Sequence, residues 1–181
     1  MEHQQPAVQS PPTGKFALNY GLILGLASVA LAVILYVTNS LLDQNWMTGV
    51  VSFLIMIGVI VYALSAYKKA NGGFMSLSQA LKVGLAVAVI GALIGAIYNF
   101  IFMSYIEPNF VDLIMEKQRQ TMMESQPNMS EEQINQAMEM GRKFAGPWVT
   151  SAFQILGGLF FGFIISLVAG LIMKKENPAK M

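Results

Sequence analysis

The chain has 181 residues, of which 55% are hydrophobic and only 12% charged, with a formal net charge of +1. A soluble domain carries about 25% charged residues, so this deficit argues against disorder, nucleic-acid binding and an ordinary soluble enzyme. Cysteine is absent and His3 is the sole histidine, which excludes disulfides, thiolate nucleophiles, paired-histidine zinc sites and Ser-His-Asp triads.

The charges are unevenly placed. No Asp, Glu, Lys or Arg occurs from Phe16 to Leu42, Gln44 to Tyr67, Val83 to Ile106 or Phe144 to Met173. Each stretch exceeds the ~20 apolar residues that a helix needs to cross a bilayer core. Core helices of soluble proteins keep a polar face, and these four stretches have none. The pattern predicts an all-α, integral membrane four-helix bundle, with a four-span domain over 16–173 between terminal tails.

In chain order, residues 1–15 read as a disordered cytoplasmic tail rich in Pro and Gln. The first span is expected at about 17–41. It is too long for a signal-peptide core and lacks a small-residue cleavage site, so it reads as a retained span. Asp43, Gln44 and Asn45 form a polar turn, and the second span follows at about 47–67. The link from Lys68 to Lys82 holds three lysines and no acid. Within it Asn71-Gly72-Gly73 reads as a turn, and Ser76 or Ser78 as an N-cap. Phe74 and Leu77 would meet the membrane interface, and no phosphate-loop pattern is present. The third span is expected at about 82–105.

Residues 107–147 are too many for a simple connection. Glu107-Pro108 suits a helix start, Pro127-Asn128 a break, and Ser130-Glu131-Glu132-Gln133 a capping box. We expect a helical hairpin, about Pro108–Ser125 and Ser130–Ala145. Ile134, Ala137, Met138, Gly141, Phe144 and Ala145 would form its apolar stripe, and Glu139 is spaced to pair with Arg142 and Lys143. Six methionines fall in this segment. Thioethers can hold Cu(I), but methionine is also a good helix former and core filler, and we read these as packing residues. The fourth span is expected at about 148–173, and 174–181 as a basic cytoplasmic tail.

The lysines set the topology. Lys15, Lys68, Lys69, Lys82, Lys174, Lys175 and Lys180 flank one side of the four spans. The positive-inside rule then puts both termini in the cytoplasm and the hairpin outside. Trp46 and Trp148 fall at the outer ends of spans, where amphipathic rings anchor.

Small residues recur every four positions in the spans: Gly21 and Gly25, Gly91 and Gly95, and Gly158, Gly162, Ser166 and Gly170. Such rows let helix backbones approach closely in lipid. They are the candidate packing residues, either within one bundle or, through the fourth span, between copies in a homo-oligomer. The spans hold no ionisable group of the kind that pumps and proton-coupled transporters place there. Asn99 and Gln154 are the best intramembrane hydrogen-bonding candidates. We expect no catalytic, cofactor or metal site. Glu107 and Asp112 are five apart and share no helical face.

One resemblance stands out. Gly72-Gly73-Phe74-Met75-Ser76-Leu77-Ser78-Gln79-Ala80-Leu81-Lys82-Val83-Gly84-Leu85 leads into the third span. Tyr105-Ile106-Glu107-Pro108-Asn109-Phe110 closes it. Ser130-Glu131-Glu132-Gln133-Ile134 follows, and Lys174-Lys175 ends the fourth span. This pattern resembles an uncharacterised four-helix membrane-protein family, typical of Bacteroidetes-type bacteria and known as a domain of unknown function. The resemblance implies this architecture and a location in a bacterial inner membrane, and carries over no catalytic residue. The expected role is non-enzymatic: a partner-binding or regulatory membrane protein acting through its outer hairpin, with the lipid bilayer as its medium and no nucleic acid. The alternative is a small oligomeric transporter or channel subunit.

Overall fold

A computed structural model describes residues 11–43 and 46–177. His3, Gln44, Asn45 and Lys180 lie outside the described residues. The fold is all-α, 83% helix. Six helices form in order: α1 Thr13–Val37, α2 Trp46–Ala70, α3 Leu77–Ile101, α4 Phe110–Ser125, α5 Glu131–Phe144 and α6 Pro147–Met173, with a π-helical turn, Phe102–Ile106, extending α3. Four helices, α1, α2, α3 with its extension, and α6, are long and apolar enough to cross a membrane. At ~1.5 Å per residue the shortest exceed the ~30 Å hydrocarbon layer. The chain is a membrane-embedded four-helix protein with a helical hairpin between its third and fourth spans.

Helix boundaries depart from the hydropathy pattern where capping overrides it. The first span was expected to reach Leu41, but α1 stops at Val37. Asn39 adopts φ 56°, and Ser40 N–H reaches Leu35 O at 2.8 Å while Asn39 N–H reaches Tyr36 O at 3.1 Å. These bonds make a Schellman cap with Asn as its left-handed residue, so Leu41 and Leu42 leave the helix despite being apolar. At the other end α1 starts at Thr13, placing Thr13–Lys15 in the helix instead of the expected tail. The helix α2 runs past Tyr67 to Ala70. There Gly72, at φ +69°, lets Gly73 N–H turn back to Lys68 O at 2.9 Å.

The third span begins earlier than Lys82 because Ser76, and not Ser78, is the N-cap. Gln79 N–H donates to Ser76 Oγ at 3.2 Å, and Ser76 N–H donates to Gln79 Oε1 at 2.9 Å. Pro108 was expected to open the hairpin, yet α4 starts at Phe110. Pro108 instead sits in a turn that Phe110 N–H closes onto Glu107 O at 3.0 Å.

The central helix is α3, which packs most extensively on α1 and α6. It runs parallel to α1, with Ile90 seated against Gly21 and Ile94 against Gly25. In return Leu24 sits against Gly91. Against α6 it runs antiparallel: Gly158, Gly162, Ser166 and Gly170 face Ala92, Ala88, Gly84 and Ala80 in turn. A methyl group added at Gly158 would stand 2.8 Å from Ala92 Cβ, closer than side chains tolerate. This α6 row is filled by α3 of the same chain, so it presents no free face to a second copy.

The apolar core lies toward the lysine-bearing end. Its fully buried members include Ile60, Leu64, Tyr67, Met75, Val83 and Val87. Buried residues of α2 all fall in its second half, and Trp46, Met47, Val50, Val51, Phe53 and Leu54 in the first half are exposed. In hydrocarbon such exposure costs nothing, so α2 can separate from its neighbours there.

Candidate functional site

The lysine end is closed by bonds that hydropathy cannot show. Residues 71–76 pair with the chain just beyond α6: Met75 N–H donates to Lys175 O at 2.8 Å, and Lys175 N–H to Met75 O at 2.9 Å. This isolated antiparallel bridge holds Met75 at 0% exposure. Lys68 Nζ donates to Met173 O at 2.8 Å, meeting an orphan carbonyl at the negative end of the α6 dipole. The Lys175 ammonium lies 5.4 Å from the Phe74 ring centre. The start of the expected C-terminal tail is thus part of the fold. Edge-on contacts Phe16–Tyr67 and Tyr20–Tyr62 join α1 to α2 on this side.

Toward the hairpin the four spanning helices part and enclose a cleft. Its apolar compartment, about 310 Å³, draws walls from all four. Leu24, Phe53, Met56 and Phe161 are its large side chains, and Ala88, Gly91, Ala92 and Gly158 leave the space between them. Phe53 and Phe161 meet edge-on at 5.5 Å and join α2 to α6 there. A second compartment, about 130 Å³, includes Tyr98, Asn99, Phe102 and Phe110 in its lining, with Leu41 folded in from the α1 cap. Ser28 and Gln154 line both.

The polar side chains at this level divide into two groups. Asn99 Nδ2 donates to Thr150 Oγ1 at 3.1 Å and to Ser151 Oγ at 3.2 Å, and Ser151 Oγ donates to Ala96 O at 3.2 Å. These bonds tie α3 to α6, each worth about 0.6–2 kcal/mol. Ser28 and Ser52 donate to their own helix carbonyls, Leu24 O and Thr48 O, both at 2.9 Å, which leaves their oxygens free to accept. Gln154 differs: its side chain is exposed. Its Nε2 lies so close to Gly95 that a methyl group there would collide with it. Gly95 therefore makes room for the Gln154 amide, a different role from that of the other small residues. The sequence singled out Gly95 and Gln154 separately, and nothing in their spacing links them.

Above the cleft, the π-turn anchors the hairpin. Glu107 N–H reaches five residues back to Phe102 O at 2.8 Å. Phe102 meets Tyr36 edge-on at 5.1 Å and Phe110 at 5.2 Å, and the Tyr36 hydroxyl donates to Glu107 Oε2 at 3.4 Å. Such π-turns often mark functional sites, and no sequence pattern announced this one.

The hairpin packs chiefly on itself. Met115 and Ile134 form its small core, and Gly141 sits under the Met115 thioether at 3.8 Å for an added methyl. Ser130 and Gln133 form the expected capping box, with bonds of 3.3 and 3.0 Å. Arg142 pairs with Asp112 across the two arms and not with Glu139 on its own helix. Phe144, expected in the hairpin's apolar stripe, is 57% exposed.

These features define a class: a membrane protein of four spanning helices, closed at one end, open at the other and capped there by a helical hairpin. The chain belongs to the family described as "Protein of unknown function (DUF4199)", which matches residues 19–175, from the first span through the last. No curated protein and no solved structure matches it.

Proposed function

We propose that the protein is a non-enzymatic, multi-pass component of the bacterial inner membrane that binds a partner protein through the α4–α5 hairpin. The observation that carries this reading is the hairpin itself: two helices packed on each other, fixed at their base, with Met140 and Phe144 left 66% and 57% exposed one turn apart. A lone connection between spans needs neither an internal core nor a capping box. The carboxylates nearest the spans are engaged, Glu107 with Tyr36 and Asp112 with Arg142, which favours a binding role over acid–base chemistry. The cluster of Lys15, Lys68, Lys69, Lys82, Lys174 and Lys175 at the other end supports cytoplasmic termini and an extracytoplasmic hairpin.

The test is co-purification from native membranes with residues 110–144 replaced by a Gly/Ser linker. The expected result is loss of a protein that accompanies the parent chain, and an unchanged set of companions overturns the reading. Orientation is read separately. The chain has no cysteine, so Gln126→Cys and Lys69→Cys each give a unique thiol. A membrane-impermeant maleimide should label the first in intact cells and the second only after lysis.

A second reading, a small oligomeric transporter or channel subunit, is favoured by the open cleft. It requires contact between copies through a face other than the α6 row. Crosslinking in membranes together with solute flux in reconstituted vesicles decides it: monomers without flux exclude it.

A further inference from the structure

The outward faces of the four spans share one ending. On α1 the exposed Leu18, Leu22 and Leu26 form a stripe at helical spacing, and exposed Lys15 stands one turn before it. On α2 the exposed Tyr62 and Ser65 lead to exposed Lys69. On α3 exposed Lys82 shares a face with exposed Leu93 and Ile97, eleven and fifteen residues on. After α6 the exposed Leu171 and Ile172 lead to exposed Lys174. Each lipid-facing surface therefore terminates in one lysine.

Lateral contacts set three of these lysines at one depth. Phe16 meets Tyr67 and Tyr20 meets Tyr62, while Ile90 seats on Gly21 and Ile94 on Gly25. These two registers bring Lys69 and Lys82 each within ~3 Å of the Lys15 level at ~1.5 Å per residue. The exposed rings of Trp46, Tyr105 and Trp148 mark the opposite end. From Lys82 to Tyr105 on α3, and from Trp46 to Lys69 on α2, the rise is ~35 Å. That spans a ~30 Å hydrocarbon layer and leaves lysines and aromatic rings in opposite headgroup regions. The fold does not use these lysines internally. Lys68 is engaged with Met173 O, and Lys175 lies over Phe74. Lys15, Lys69, Lys82 and Lys174 make no ion pair among the described residues, where the one pair, Arg142–Asp112, lies in the hairpin. Glu176 is the one described acid at the lysine end.

We propose that this lysine ring binds the headgroups of anionic phospholipids in the leaflet it faces, and so gathers an acidic shell of lipid around the protein. Each ammonium meets the phosphate of one headgroup, and each lysine stem lies along the apolar stripe that precedes it. The lysines stand on the outward faces of four different helices, so no single small anion can bridge them, whereas separate headgroups around the perimeter can. A zwitterionic lipid offers the same phosphate but brings its own cation, so the net attraction favours the acidic class. This surface is independent of any partner on the hairpin.

The test uses the full chain, which has no cysteine, with Leu18→Cys carrying a fluorophore one turn inside Lys15. It is reconstituted in bilayers that mix phosphatidylglycerol and phosphatidylcholine, with one of the two brominated. Quenching reports which lipid lies beside the probe, and Trp46 and Trp148 of the unlabelled chain report the same for the opposite end. The expected result at residue 18 is about a fivefold preference for phosphatidylglycerol, the factor that ~1 kcal/mol per lysine near a charged surface corresponds to. The tryptophans should show none. No preference at residue 18, or an equal one at the tryptophans, overturns the proposal. Lys15→Gln should abolish the preference and Lys15→Arg should keep it, and a preference that survives Lys15→Gln overturns the role of the lysine. Inorganic phosphate at constant ionic strength should leave the preference unchanged. Its loss there would assign the lysine to a free anion and overturn the headgroup. The comparison of the two ends decides the question even if a Lys15 variant fails to fold.

Discussion

The two ends of the bundle solve the same problem in opposite ways. At the lysine end the termini of α3 and α6 are tied down: Ser76 caps α3, Lys68 caps α6, and Met75 pairs with Lys175. At the hairpin end the helices part around a cleft. The difference shows how unevenly stability is distributed along a small membrane bundle. Close packing of small residues, not hydrophobicity, holds helices together in lipid. A bundle anchored firmly at one end can therefore leave the other end open.

This contrast can be broken most severely at the α3–α6 seam. Gly162→Leu forces a branched side chain into Ala88 and should destabilise the bundle by ~3 kcal/mol or more, the upper range for overpacking. Unfolding in mixed micelles measures it, and a change below ~1 kcal/mol would mean that the seam is loose. Next, Met75→Ala empties a site with 0% exposure and should cost about 2–5 kcal/mol. Met56→Ala, beside the cleft, should cost clearly less, because its side chain already borders empty space. Equal losses would erase the distinction between the two ends. Lys68→Met removes the charged cap of α6 and should cost about 1–2 kcal/mol, with faster amide exchange confined to the last turn of α6. The smallest stability effect is expected at the hairpin. The Arg142–Asp112 pair is more than half exposed on both sides, so Arg142→Ala should cost at most ~1 kcal/mol, and the loss should shrink in high salt.

Much of this architecture is legible in the sequence. Charge-free runs marked the four spans because a bilayer core excludes charge. Ser130 and Gln133 marked the start of α5 because their spacing suits reciprocal capping. The errors are as instructive. Leu41 read as span because hydropathy scores composition, whereas Asn39 ends α1 through backbone conformation. Pro108 read as a helix start because proline fits that position, yet the π-turn before it redirects the chain.

The sequence by itself determined that this protein lives in a membrane, how many times it can cross, and which helix faces carry small residues. Those properties follow from local composition and period. Only the tertiary structure decided which small residues meet which helix. It joined Gly95 to Gln154 across 59 positions of chain and paired Met75 with Lys175. It also left the core on one side and a cleft on the other. Such contacts depend on how helices lean on one another, and in lipid, where apolar exposure carries no penalty, hydrophobic pattern alone cannot dictate that lean.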